Sequence, residues 1–211
     1  MSKFGILVDV DKCIACQACF VACKEENQLP PGMKWVEIDR QENPKARVIN
    51  YFRRSCQHCE KPACITVCPA KAISQGKFGE VLVDQTKCIG CKMCLAACPY
   101  GAPQFNDKGE TSYWPGKTPL AERPLEPWQK HVAGKAEHCT LCTHRTSKGM
   151  KPACVEACGI GALVFVDWEK PEGEAKELAA KAKALNAKAG TEPKIRYVSS
   201  VLNVEGMTTK L

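Results

Sequence analysis

Short apolar runs separated by polar, turn-forming stretches set the rhythm of this chain. Residues 5–10, 81–84 and 163–167 are rich in Val, Ile and Leu and predict β-strands. Residues 47–53 alternate weakly and predict one more. Residues 19–26 and 94–98 read as short helical turns. Leu178, Ala182, Leu185 and Ala189 recur at helical spacing, which predicts one amphipathic helix over 172–189 with a lysine-rich outer face. Residues 194–204 then predict a closing extended segment. The longest apolar run, 160–166, is far short of the roughly 18–20 residues that cross a bilayer. Membrane association is therefore expected only through a partner.

The cysteines change this picture. Sixteen of the 211 residues are Cys, close to the density of a disulfide scaffold. Disulfides are not expected, because residues 1–12 lack a secretory pattern and every cysteine falls in a tight cluster. A Cys-x-x-Cys bridge would also close too short a loop to restrict the unfolded chain usefully. Four groups follow in order. Cys13, Cys16, Cys19 and Cys23 have the spacing C-x2-C-x2-C-x3-C, and Cys88, Cys91, Cys94 and Cys98 repeat it. Cys56, Cys59, Cys64 and Cys68 follow C-x2-C-x4-C-x3-C, and Cys139, Cys142, Cys154 and Cys158 follow C-x2-C-x11-C-x3-C. Non-cysteine residues repeat as well. Val8-Asp9 and Lys12-Cys13-Ile14 align with Val83-Asp84 and Lys87-Cys88-Ile89 at an offset of 75, and Lys61-Pro62-Ala63-Cys64 aligns with Lys151-Pro152-Ala153-Cys154 at 90. The chain is a duplicated unit.

The spacing points to [4Fe–4S] clusters, four in all. C-x2-C-x2-C-x3-C followed by proline, complete at Cys98-Pro99, is the bacterial ferredoxin run, and in two-cluster ferredoxins its fourth cysteine ligates the other cluster. The fourth group alone fits a zinc site, but three cysteines at successive two-residue gaps leave no zinc-type spacer in the first and third. His58, His131, His138 and His144 are surplus as ligands and are expected to pack beside the clusters or hydrogen-bond their sulfurs. Tyr100, Phe105, Tyr113, Trp114 and Trp128 form either a local mini-core or a partner-binding face. The net charge of +7 does not imply nucleic-acid binding, since four clusters at roughly −2 each neutralise it and the basic residues are scattered. No catalytic constellation is present.

With CQHCEKPAC in the second group, CIGCKMCLAACPYGAP in the third and CTLCTHRTSKGMKPACVEAC in the fourth, the chain closely resembles the iron–sulfur (beta) subunits of molybdopterin oxidoreductases. These serve dimethyl sulfoxide, polysulfide, thiosulfate, tetrathionate and arsenate reductases and some formate dehydrogenases. The resemblance implies an α+β fold of two fused bacterial ferredoxin-like modules with short strands and helices, long irregular inserts and a C-terminal helix. One module would be 1–24 plus 139–168 and the other 56–100, with inserts 25–55 and 101–138 and a helix and tail over 169–211. It further implies crossed ligand sets: Cys13, Cys16, Cys19 and Cys158; Cys139, Cys142, Cys154 and Cys23; Cys56, Cys59, Cys64 and Cys98; Cys88, Cys91, Cys94 and Cys68. The implied role is non-catalytic electron transfer between a quinone-linked membrane-anchor subunit and a molybdopterin-containing catalytic subunit. The expected location is the periplasmic side, reached with an exported partner, with the cytoplasm as alternative. Gly159 stands where proline commonly follows the fourth cysteine. A freely diffusing polyferredoxin is the rival reading, though it would not need the long insert before the fourth group.

Overall fold

The computed structural model describes residues 3–44, 47–107 and 126–206. Strand β1 (Phe4–Asp9) leads through the first cysteine group into helix α1 (Ala18–Glu26). A hairpin of β2 (Val36–Asn43) and β3 (Val48–Ser55) follows, then α2 (Ala63–Thr66), the strand pair β4 (Ile73–Gln75) and β5 (Val81–Val83), and α3 (Met93–Ala97). Strand β6 (Gln104–Phe105) pairs with β7 (Ala136–Glu137). After them come α4 (Thr143–Thr146), α5 (Ala153–Glu156), β8 (Leu163–Asp167), α6 (Gly173–Ala179), β9 (Lys183–Ala184) and β10 (Ile195–Val198). The fold is thus α+β, built of short elements.

The principal sheet has the order β8-β1-β10-β9, with β1 antiparallel to β8 and parallel to β10. Ile6, Leu7 and Val8 of the central strand are fully buried. Backbones crowd here: a Cβ on Gly5 would lie 2.2 Å from the Lys194 carbonyl oxygen and 2.3 Å from Trp168 Nε1. The duplication is visible in the packing, since α1 lies against α5 and α2 against α3. The core that joins them is part thiol. Cys19, Cys23, Cys56, Cys59, Cys94, Cys98, Cys139 and Cys154 are buried in one cluster with Ile6, Val8, Trp35 and Phe52.

Two sequence expectations need correction. The helix predicted over 172–189 ends at Ala179. Leu178 and Ala179 do pack on Leu7 and Val166, but the chain then pairs β9 with the free edge of β10 and inserts Leu185, fully buried, into the main core. A seven-residue helix is marginal alone, so an open strand edge and a core site override the helical pattern. The first insert is also not irregular, because β2 and β3 form a regular eight-residue pairing. It is hard to see in the sequence because β2 is mostly polar, with only Val36 and Ile38 apolar: Glu37 and Asp39 are held by Arg54 of β3 rather than by apolar contacts. Tyr100 is buried, which assigns it to the interior, and the half-buried Phe105 packs on the core. Tyr113 and Trp114 lie outside the described residues.

Candidate metal centres

All sixteen cysteines are unbridged thiols. Each group begins with a backbone turn of one kind. The residue before the second cysteine is left-handed in all four: Ala15 (φ 58°), His58 (45°), Gly90 (75°) and Leu141 (55°). Such residues cost of order 1 kcal/mol or more when they are not glycine, and they aim successive N–H groups inward as an anion-binding nest. The His58 N–H donates to Cys56 Sγ at 3.5 Å and the Leu141 N–H to Cys139 Sγ at 3.4 Å. Lys71 and Gly161, 90 residues apart, share the same handedness, and beside Lys71 the Ala72 N–H donates to Cys68 Sγ at 3.3 Å. Gly90 has a second reason to be glycine, since a Cβ there would meet the Gly134 oxygen at 2.3 Å.

The thiols gather across the chain, not along it. Cys13 lies within electrostatic reach of Cys158 and Cys16, and Cys19 of Cys13 and Cys158. Cys23 faces Cys139, Cys142 and Cys154. Cys59 and Cys64 both face Cys98, and Cys56 faces Cys59 and Cys64. Cys68, Cys88, Cys91 and Cys94 line one small cavity. These neighbourhoods also connect in a row, because Cys19 reaches Cys154, Cys139 reaches Cys56, and Cys64 reaches Cys94. Cys16 and Cys91 are exposed, one toward each end of this row.

Burial pushes the Cys19, Cys59 and Cys94 thiols up to about 11 and Cys64 up to about 12. Cys13, Cys23, Cys56, Cys142 and Cys154 move up for the same reason. Buried thiolates therefore need a positively charged partner inside the protein. Among the described residues no three His, Cys, Asp or Glu side chains converge as ligands of a single metal ion. A four-iron core takes one thiolate at each iron, a larger arrangement. Soft donors in fours, with backbone N–H groups aimed at their sulfurs, fit that core.

The histidine rings bond to groups other than the cluster sulfurs. The His58 ring accepts from the Val81 N–H at 3.0 Å, and His138 Nδ1 pairs with the Cys139 carbonyl at 2.8 Å. Burial holds the His58 ring well on the neutral side and pushes His138 in the same direction. His131 joins Glu137 (2.6 Å) to the Asn27 carbonyl (2.9 Å), and His144 pairs with Glu26 at 2.6 Å. The side-chain contacts to sulfur come from residues outside the cysteine motifs. Asn27 Nδ2 lies 3.6 Å from Cys23 Sγ, Thr191 hydrogen-bonds Cys59, and Arg53 Nη2 lies 4.0 Å from Cys139 Sγ. Asn27 was detectable, being four residues beyond Cys23 on one helical face. Arg53-Arg54 was also a signal, since one of two consecutive strand residues must point inward. Nothing in the sequence marks Thr191.

Two regions of the chain, 12–72 and 87–162, match the 4Fe-4S dicluster domain family, and a second 4Fe-4S dicluster domain family matches 47–113. Curated relatives span nearly the whole chain. It is 36% identical to a selenate reductase subunit of Mesobacillus selenatarsenatis, over 92% of this chain and 71% of that protein. It is 31% identical to the arsenate respiratory reductase iron-sulfur subunit of a Shewanella species, over 94% and 97%. Identity to one of the polysulfide reductase chains of Wolinella succinogenes is 32%, over 93% and 94%. The chain therefore belongs to the family of 4Fe-4S dicluster iron–sulfur subunits of respiratory reductases, an electron-transfer and not a catalytic subunit, and it carries four [4Fe–4S] clusters.

Proposed function

We propose that the chain is the electron wire between a quinone-reactive membrane subunit and a molybdopterin-containing catalytic subunit of an anaerobic respiratory oxidoreductase. Cys13, Cys16, Cys19 and Cys158 hold the first cluster of the row, and Cys139, Cys142, Cys154 and Cys23 the second. Cys56, Cys59, Cys64 and Cys98 hold the third, and Cys88, Cys91, Cys94 and Cys68 the fourth. One observation carries this reading: the last cysteine of each group lies among the first three of another group. The segments around groups one and four make one ferredoxin-like module and residues 56–100 the other, a division supported by the pairing of α1 with α5 and of α2 with α3. Each cluster supplies a site that gains and loses one electron. The protein supplies the spacing, the N–H donors to sulfur and the exclusion of water from the inner two.

Two partners suit a row with two open ends. Ile14 is 64% exposed beside Cys16, and Ile89, its counterpart 75 residues on, is 65% exposed beside Cys91. Among the described residues no helix is long and apolar enough to cross a membrane. Size-exclusion chromatography of a native anaerobic extract tests the proposal. Elution with a large subunit is expected, and migration alone near 23.1 kDa would overturn it in favour of a diffusing polyferredoxin.

The working location is the periplasmic side, reached folded and loaded with an exported partner. Ligands drawn from distant groups support loading on a folded chain, which suits export together with a partner. Deleting the partner's export signal tests this, and arrival in the periplasm despite the deletion would end the idea.

A further inference from the structure

Strand β3 carries two consecutive arginines with opposite surroundings. Arg54 is paired with Glu37 and Asp39 and donates to the Tyr100 carbonyl at 3.0 Å. Arg53 is 1% exposed, and among the described residues it forms no ion pair with a carboxylate. Its Nη2 lies 4.0 Å from Cys139 Sγ, while Nε and Nη1 are buried with no hydrogen-bond partner. Its electrostatic neighbours are Cys154, Cys139 and Cys19. The guanidinium therefore sits where the tetrad containing Cys19 meets the tetrad of Cys23, Cys139, Cys142 and Cys154.

A buried cation without an anion is strongly unfavourable. Neutral thiols do not compensate it, whereas a cluster with four thiolates, net negative, does. The unpartnered donors are then donors waiting for sulfur, and Arg is the side chain that presents several in a fixed fork while staying charged.

We propose that Arg53 sets the reduction potential of the second cluster of the row, raising it by fixing a positive charge and N–H donors against the sulfurs that receive the electron. The inference rests on the ligand sets proposed above. One electron enters from the neighbouring cluster, the thiolates stay bound, Arg53 stays protonated, and no proton moves. Hydrogen bonds and net charge at the sulfurs are known levers on such potentials. Arg53 also reaches Cys19, so the first cluster moves in the same direction by less. The fourth cluster, three places along the row from the first, does not move.

Redox titration followed by electron paramagnetic resonance, on the loaded full chain with its partner, tests this in Arg53→Met, Arg53→Gln and Arg53→Lys. The Cys142→Ser and Cys91→Ser variants mark the second and fourth signals. Arg53→Met and Arg53→Gln are expected to disfavour reduction of the second cluster at least tenfold, which is about 59 mV for a one-electron couple. Arg53→Lys, which keeps the charge and loses the fork, should recover part of that. All signals unmoved at full iron content would overturn the proposal. If Met does not load, the Lys and Gln pair decides: a higher potential in Lys supports it, and equal potentials overturn it. If none of the three loads iron at that site, Arg53 is an assembly residue and the tuning role is wrong. A shift that falls on the signal marked by Cys91→Ser would instead break the ligand sets.

Discussion

The Tyr100 and Thr191 hydroxyls stand 2.6 Å apart, and Thr191 also hydrogen-bonds the Cys59 thiol. Both hydroxyls are in the interior. Residues 91 positions apart thus place a donor on a sulfur of the proposed third cluster, and the loop between β9 and β10 becomes part of its surroundings. A hydrogen bond to sulfur lowers the energy of the more negative, reduced state. Thr191→Val should therefore lower that cluster's midpoint by roughly 40 mV, the equivalent of about 1 kcal/mol for one electron. The other three should stay in place in the same titration. A midpoint that rises would contradict the donor assignment.

Cys23→Ser separates local from crossed ligation. Under local ligation the cluster of Cys13, Cys16 and Cys19 loses its fourth thiolate. Under the proposed sets the damage falls on the cluster of Cys139, Cys142 and Cys154 instead. Conversion to a three-iron form or a shifted potential is expected in the spectrum. The altered signal should match that of Cys142→Ser. A match with Cys16→Ser would defeat the crossed arrangement.

Loading should release protons and protect against alkali. In the folded metal-free chain, Cys19, Cys59 and Cys94 are raised from the ordinary 9.0 to about 11 and Cys64 to about 12. A folded value above the unfolded one means that stability from these thiols is complete below pH 9.0 and lost as pH climbs through about 11–12. The metal-free chain should therefore unfold across that window by circular dichroism. The loaded chain, its thiolates held by about 16 irons in four clusters, should not. Anaerobic reconstitution near neutral pH should acidify a weakly buffered solution by about one proton per thiol, over and above the protons that hydrosulfide gives up on becoming bridging sulfide. Equal alkaline sensitivity of the two forms would show that burial of free thiols is not what iron relieves.

Gly5→Ala probes the crowded centre of the principal sheet. The added methyl would collide with the Lys194 carbonyl and displace Trp168 Nε1, which donates to that carbonyl at 3.0 Å. Overpacking together with one lost hydrogen bond predicts destabilisation of about 2–4 kcal/mol. The visible absorption of the clusters should be lost at a lower temperature. Gly159→Ala, where nothing lies within 4 Å of the new methyl, is the control and should melt like the native chain. Similar melting of both variants would argue against the packing around β1.

Cysteine spacing alone is sufficient for the number and kind of the clusters, because a thiolate at each iron is a local chemical demand written into short runs. The duplication was equally legible, and it returns in the structure as left-handed residues at matching positions, His58 with Leu141 and Lys71 with Gly161. Strands at 163–167 and near 5–10 and 81–84 were visible because each packs a run of apolar residues against a core cluster. Other features were decided only in three dimensions. Whether residues 183–185 continue a helix depends on the open edge of β10 and on a vacant core position for Leu185, neither of which is local. Which thiols meet depends on α1 packing against α5 and α2 against α3. The charge at the heart of the row is of the same kind: Arg53 and Arg54 are identical neighbours in sequence, and only strand alternation sends one to carboxylates and the other to sulfur.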